Sequence, residues 1–284
     1  MPELPEVETT RRGIEPHAVG QTIASVRVHD GRLRWPVPQA LPRILEGLTL
    51  TRVDRRSKYL LFRFEPAPGK QASDRAGILL VHLGMTGSLR WYSGGAPIPP
   101  RRTHDHVDIG FANGALLRYH DPRRFGAVLW LEEPAERHPL LAALGPEPFQ
   151  PEFDAAFLYR KLRGRSAAIK LALMDNHVVV GVGNIYANEA LFRAGIRPTR
   201  AANRISHKRL GLLVDAVRAT LADAIAKGGS TLRDYVDSRG EPGYFQLQYF
   251  VYDRAGLPCK VCGTRLRPVR QGGRATVFCP KCQT

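Results

Sequence analysis

No run of about 18 apolar residues occurs in the 284-residue chain, so no segment reads as a membrane-spanning helix. The N-terminus lacks the apolar core of a secretory signal, and a cytoplasmic location is expected. Acidic residues are scarce: 26 Asp and Glu stand against 42 Lys and Arg, giving a formal net charge of +16. That excess calls for a polyanionic partner, and nucleic acid leads. An anionic membrane surface is the rival, but no basic amphipathic helix is present to lie on lipid. Cysteine is also sparse, with four in the chain, all within the last 26 residues. At 43% hydrophobic content the chain can build folded cores, and its length exceeds a usual single domain of about 100 to 150 residues, so two domains are expected.

What is present begins with Met1-Pro2-Glu3-Leu4-Pro5-Glu6, a terminus with two prolines, two carboxylates and no flexible leader. With Met1 removed, Pro2 becomes a secondary α-amine beside an acid. Such an amine has an unperturbed pKa of about 7.7 to 8.0, far below lysine, so part of it is unprotonated and nucleophilic at neutral pH. It can attack electrophilic carbon and form a Schiff base.

A short helix is predicted from Pro5 to about Val19, because Pro5 suits a first turn and Leu4 and Val7 share a side. Short strands follow over Thr22–Val28, Leu48–Val53, Tyr59–Phe64, Ile78–Leu83, Leu89–Tyr92, His106–Phe111, Leu116–Tyr119 and Ala127–Leu131. Asn113-Gly114 reads as a two-residue hairpin turn, since both residues tolerate positive φ. So many short strands predict an antiparallel sandwich or barrel. Five prolines between Leu131 and Phe153 then read as a linker.

Beyond it the pattern turns helical, over Glu152–Leu162, Ser166–Asn176, Asn184–Ala194 and Ser206–Lys227. In the last, Leu210, Leu213, Val214, Val217, Leu221 and Ile225 form one core-facing stripe stopped by Gly228-Gly229. The expected class is α+β. Domain 1–131 is a β-sandwich with a flanking N-terminal helix, 132–152 a linker, 153–249 a helical domain and 250–284 a metal-clipped hairpin. Gly181-Val182-Gly183-Asn184 turns into a helix N-terminus, where free N–H groups can hold phosphate, although loop geometry alone also explains such a turn.

Cys259 and Cys262, then Cys279 and Cys282 after sixteen residues, have the spacing of a four-cysteine zinc site. Two disulfides are the competing reading, disfavoured in a reducing compartment. Four thiolates close the tetrahedron, so one structural zinc is expected. Around it lie Lys260, Arg265, Arg267, Arg270, Arg274 and Lys281 with no acid, a surface suited to phosphate. In the first half, Leu83-Gly84-Met85-Thr86-Gly87 and His120-Asp121-Pro122-Arg123-Arg124-Phe125-Gly126 are turns between strands. Exposed, Met85, Arg123 and Phe125 could enter a base stack; buried, Met85 and Phe125 would complete the sandwich core.

Met1 to Thr9, Arg55-Arg56-Ser57-Lys58-Tyr59-Leu60, His82-Leu83-Gly84-Met85, Asp121 to Gly126, Met174-Asp175-Asn176, Val180 to Tyr186 and the cysteine hairpin together resemble the bacterial formamidopyrimidine-DNA glycosylases, in register over almost the whole chain. The resemblance implies a β-sandwich, a helix-two-turn-helix domain and a zinc finger, with DNA between the domains. Leu4 and the Arg123/Phe125 pair are similar to this branch, whereas the endonuclease VIII branch carries Gly at the position of Leu4.

By the same resemblance Pro2 attacks C1′ of an oxidised purine nucleotide, such as 8-oxoguanine or a formamidopyrimidine, and Glu3 is the acid in sugar-ring opening. Lys58 serves β-elimination and phosphate contact, and Arg274 clamps phosphate and assists δ-elimination. Met85, Arg123 and Phe125 fill the void left by the everted base; His82, His104, Arg165 and Asn184 meet the DNA. Residues 230–244 correspond to the loop over the extruded base. A monomer acting on nucleoid DNA with oxidised bases or abasic sites, away from membranes, is implied. A non-enzymatic zinc-ribbon binder would share the charge and the cysteines, but gives no reason for a Pro-Glu terminus or for stack-entering turns.

Overall fold

Helix α1 (Leu4–Ala18) begins at once because its N-terminus is capped from within: Glu3 is the N-cap, and its backbone N–H donates to Glu6 Oε2 at 2.7 Å. Pro5 sits in the first turn, where a missing N–H costs nothing. Leu4, Val7, Ile14 and Ala18 recur at helical spacing and are buried. The structure is a computed structural model that describes residues 2–66, 76–132, 134–230 and 249–284. Among these, 2–142 with 228–230 form one compact unit, and 143–227 with 249–284 form another.

In the first unit β1 (Ile23–Val28) is followed by a short helix, α2 (Leu41–Leu45), then β2 (Leu48–Arg56), β3 (Tyr59–Pro66), β4 (Gly77–His82), β5 (Ser88–Tyr92), β6 (Asp105–Phe111), β7 (Leu116–His120) and β8 (Ala127–Leu131). They form two four-stranded sheets, ordered β1-β6-β7-β5 and β2-β3-β4-β8, and every pairing is antiparallel. One apolar core joins both sheets, with Val26, Leu89, Ile109 and Leu117 from the first and Val53, Phe62, Leu79 and Val128 from the second. Val7 and Ile14 of α1 and Leu41 and Leu45 of α2 enter the same cluster. Helix α1 packs on β2 and β3, which fixes the N-terminus to the sandwich.

Three expectations change here. The β6–β7 turn does not use positive φ at both Asn113 and Gly114. Gly114 alone is left-handed (φ 80°), Gly114 N–H donates to Phe111 O and Phe111 N–H to Ala115 O, a type I turn closed by a one-residue bulge. Helix α2 is an addition, started by Ala40 and Pro42. The segment 132–152 is not plain linker: Ala135–Arg137 forms a 3₁₀ turn and α3 (Pro139–Ala142) follows, each entered through a proline that pre-sets helical φ.

The second unit holds α4 (Ala155–Leu162), α5 (Ile169–Leu173), α6 (Asn184–Arg193) and α7 (His207–Ala226), then β9 (Arg267–Gln271) paired antiparallel with β10 (Arg274–Phe278). Asp154 and Ser206 cap α4 and α7, accepting from the Phe157 and Arg209 N–H groups. Helix α5 is shorter than the expected Ser166–Asn176. Residues before it pair instead with a distant stretch, Ile169 N–H donating to Arg200 O and Ala202 N–H to Ala167 O. Helix α7 packs on α4 and α6, with Leu210, Leu213, Val217 and Leu221 buried. No helix among the described residues is long and apolar enough to cross a membrane.

Candidate active site and nucleic-acid interface

Pro2 and Glu3 lie at the capped start of α1, both buried. Met1 lies outside the described residues, as does nearly all of the loop expected at 230–244. Helix α1 is tied to the β2–β3 hairpin by Arg55 Nε donating to Glu8 Oε2 at 3.2 Å and by Arg11 Nη1 donating to Val53 O at 3.3 Å. That hairpin turns through Ser57, left-handed at φ 58°, and Lys58, whose side chain is buried rather than waving in solvent. Its charge reaches His82. Burial, reinforced by the charges of Lys58 and Arg34, lowers the His82 imidazole to about 4. His82 Nδ1 accepts from the Gly84 N–H at 3.1 Å, so at neutral pH the ring is neutral and carries its proton on Nε2. It can meet a phosphate as a hydrogen-bond donor and not as a cation.

The two turns, 83–87 and 120–126, are pressed together by glycine. A Cβ on Gly84 would stand 2.6 Å from the Gly126 nitrogen, and one on Gly126 would meet His82 O at 2.4 Å. Asp121, fully buried, binds both turns: it accepts from Thr86 Oγ1 at 2.8 Å, the Gly126 N–H at 2.9 Å and Tyr119 OH at 3.3 Å. Tyr119 OH also lies 3.1 Å from His82 O. On this base Met85 is 38% and Phe125 43% exposed, so neither completes the core. The Arg123 guanidinium lies over the Phe125 ring, 4.8 Å from its centre.

Beside them a cavity of about 460 Å³ is lined by Arg32, Leu33, Arg34, Arg123, Arg124 and Phe125. Asp30 bridges Arg32 (2.9 Å) and Arg124 (2.8 Å). Hydrogen bonds from Arg32, and then the charge of Arg124, hold its carboxyl well below the usual range. The basic character of this cavity was not read from the sequence, where Arg32 and Arg34 are two arginines in a loop. The His104 ring lies 6.0 Å from that of His120, and its backbone carbonyl accepts from the Asp121 N–H. Its Nδ1 is buried without a hydrogen-bond partner among the described residues.

In the second unit Gly181 (φ 80°) turns the chain into α6, whose first residue is Asn184. The Asn184 side chain is held on both sides: Oδ1 accepts from Lys170 Nζ at 2.6 Å and Nδ2 donates to Ala275 O at 3.2 Å. Lys170 is fully buried and also donates to Thr276 Oγ1 at 2.6 Å, so it joins α5, the α6 start and β10. Sequence reading missed it, since in Ile169-Lys170-Leu171-Ala172-Leu173 a lysine looks like the solvent side of a helix.

Arg274, exposed, opens β10 after a two-residue turn with Gly272 at φ 53° and Gly273 at φ 74°, the twist a tight hairpin requires. Arg165 Nη1 donates to Asp175 Oδ2 at 2.6 Å. Burial opposes ionisation of Asp175, but hydrogen bonds from Arg165 and the His177 backbone lower its pKa overall. Glu189, buried in α6, accepts from the Phe250, Val251 and Tyr252 N–H groups at 2.9, 3.0 and 2.7 Å.

The four cysteine sulfurs all lie within 4.8 Å of one another, with Cys262 and Cys279 at 3.5 Å and Cys259 and Cys282 at 3.9 Å. Zinc–sulfur bonds of about 2.3 Å at tetrahedral angles need sulfurs about 3.8 Å apart, so the donor set fits zinc. Thr264 donates to Cys262 and lowers that thiol to about 6, toward the thiolate a metal requires. Cys259, Cys279 and Val277 pack with Phe192 of α6, and Val277 N–H donates to Asn188 Oδ1 at 3.1 Å, fixing the hairpin to the helices.

Three family models match the chain. Residues 1–128 match the formamidopyrimidine-DNA glycosylase N-terminal domain, 144–236 its H2TH domain, and 256–284 a zinc finger found in FPG and IleRS. The chain belongs to the formamidopyrimidine-DNA glycosylase family. Curated members from Methylococcus capsulatus and Ralstonia nicotianae are 57% and 58% identical, with all of both chains covered. Among solved structures, the Thermus thermophilus protein is 40% identical with a TM-score of 0.84, over 99% of this chain and 98% of that one. A Lactococcus lactis member solved with DNA containing Fapy-dG is 35% identical with a TM-score of 0.87, over 99% of each chain.

Proposed function

We propose that this chain is a bifunctional DNA glycosylase and abasic-site lyase that removes oxidised purines from duplex DNA. Pro2, freed of Met1, attacks C1′ of the everted nucleotide, the glycosidic bond breaks, and the base departs with its electron pair. Glu3 supplies a proton to the ring oxygen, and opening of the sugar leaves an iminium between Pro2 and C1′. The iminium acidifies the C2′ hydrogen; its loss expels the 3′ phosphate, and a second elimination expels the 5′ phosphate. Lys58 serves the first elimination and Arg274 the second. Hydrolysis of the remaining imine frees Pro2.

Zinc, held by Cys259, Cys262, Cys279 and Cys282, keeps the hairpin folded so that Arg274 stands at its tip. His82, His104, Arg165 and Asn184 contact the DNA, with Arg165 using the guanidinium edge that Asp175 leaves open. The observation that carries most weight is the pair of turns locked by Asp121, which support exposed Met85, Arg123 and Phe125. Such groups suit the vacancy left by an everted base. One chain suffices, working in the bacterial cytoplasm on nucleoid DNA. The domain limits 1–131, 153–249 and 250–284 belong to the same reading.

The test is incision of duplexes carrying 8-oxoguanine or an oxidised pyrimidine opposite each normal base, with borohydride added to trap the iminium. Excision of the purine and a DNA adduct on the N-terminal peptide are expected. A preference for the pyrimidine would assign the endonuclease VIII specificity, and an adduct on Lys58 in a chain whose Pro2 is free would sink the mechanism.

A further inference from the structure

Asp30 gathers four N–H groups on one carboxylate. Arg32 gives three of them, its backbone N–H at 3.0 Å and its Nε and Nη2 at 2.9 Å each, and Arg124 Nη2 gives the fourth at 2.8 Å. The ion pairs are not what places these residues. The His106 carbonyl in β6 accepts from the His29 and Asp30 N–H groups at 2.8 and 3.4 Å. The His106 ring donates from Nε2 to Asp121 O at 2.8 Å, and the same oxygen accepts from the Arg124 N–H at 3.3 Å. Arg124 stands left-handed, at φ 58°, between Arg123 and Phe125. Both guanidiniums meet water, with 80% of the Arg32 and 37% of the Arg124 side chain exposed, so each pair adds little to folding. What the pairs change is charge: the cavity beside them is lined by four arginines and no acid, and Asp30 ties up two of those arginines.

We infer that Asp30 is an internal competitor for DNA phosphate, a carboxylate that occupies Arg32 and Arg124 in the free protein and so shortens the protein's stay on duplex. This rests on the proposed function for one point, that Arg123 and Phe125, and Arg124 between them, stand at the DNA. A phosphate that takes either guanidinium must displace the carboxylate and leave it beside a polyanion. Both effects weaken binding to any duplex, damaged or not, and neither touches the reacting atoms.

Asp30→Asn keeps an acceptor for the Arg32 N–H and removes the charge. Affinity of the full-length, zinc-loaded protein for an undamaged duplex should rise roughly 2- to 30-fold, the range that two exposed pairs span, through slower dissociation. The fall of log affinity with log salt should steepen by about 0.9 for each guanidinium that meets a phosphate. Single-turnover excision of 8-oxoguanine at saturating protein should be unchanged. Asp30→Glu, which keeps the charge, should bind as wild type does. Arg32→Gln should weaken binding more in the Asp30→Asn background than in wild type, because only there is the guanidinium released to phosphate. Binding by Asp30→Asn no tighter than wild type, or an unchanged salt slope, would overturn the inference. Additive effects in the Arg32 cycle would overturn it too, since they would leave a change of net charge alone. Should Asp30→Asn not fold, as judged by its thermal melt, Asp30→Ser, which also keeps an acceptor for the Arg32 N–H, decides by the same readings. A wild-type adduct mapping away from Pro2 would overturn the proposed chemistry and leave these binding results standing.

Discussion

Lys170 Nζ donates to Asn184 Oδ1 at 2.6 Å from a fully buried position, which makes a lysine part of the scaffold beneath a helix N-terminus. Lys170→Met removes the donor and strands the side-chain oxygens of Asn184 and Thr276, while Ala275 O keeps its bond from Asn184 Nδ2. A loss of about 2 to 4 kcal/mol is expected in chemical denaturation, because each buried acceptor left unsatisfied costs about 1 to 3 kcal/mol. Binding to an abasic duplex should weaken in parallel. An unchanged denaturation midpoint would remove the scaffold role.

Removing the metal should act on the β9–β10 hairpin. In Cys279→Ser, or after chelation, the β9–β10 hairpin should lose its fold and Arg274 its position, so affinity for damaged duplex falls while the first unit still unfolds cooperatively. Metal analysis should give one zinc per chain. A zinc-free preparation with full affinity for DNA would count against this.

Arg123→Ala should reduce activity on a paired 8-oxoguanine far more than on an abasic site, since only the paired base must be drawn from the stack. Lys58→Ala should instead weaken binding to any duplex and flatten its salt dependence, because a lysine at phosphate releases counterions. Asn184→Ala should weaken binding without changing that slope. Equal loss on both substrates for Arg123→Ala would indicate a folding defect.

The low pKa of His82 fixes the sign of a pH effect. Unfolded, the imidazole binds a proton below about 6.5; folded, it does so only near 4. The unfolded state therefore holds more protons between these values, and stability should fall as pH drops through that window, by about 3 kcal/mol in total, and level off below it. His82→Asn, which keeps an acceptor for the Gly84 N–H, should flatten that part of the profile. Urea titrations at pH 7, 5.5 and 4 would read the difference, and parallel profiles would refute it.

Glu3→Gln should separate the two activities. Excision of an intact base needs the acid and should collapse, whereas trapping at an abasic aldehyde needs mainly the Pro2 amine and should survive in part. Comparable losses in both assays would deny Glu3 that role.

Most of the sandwich was legible because strands such as Tyr59–Pro66 carry their own alternation and their ends carry turn residues. Helix α5 was overread: the 166–168 backbone finds partners near Arg200, a pairing that local pattern cannot reveal. The cysteine hairpin needed spacing alone. Lys170, Asp121 and Glu6 escaped notice as working groups for a common reason. Each is a polar residue whose importance lies in being buried, and burial arises only when distant segments meet.

The Asp121 clamp also bears on how DNA could be searched. Its bonds to Thr86, Gly126 and Tyr119 exist in the protein alone, so under the proposed function Met85, Arg123 and Phe125 meet the duplex as parts of a stiff tool. A stiff tool adds little ordering entropy to each encounter, and the work of opening a base pair falls on the pair itself. Under the proposed function, the tool ranks base pairs by how readily they yield, before any contact with the base's altered edge.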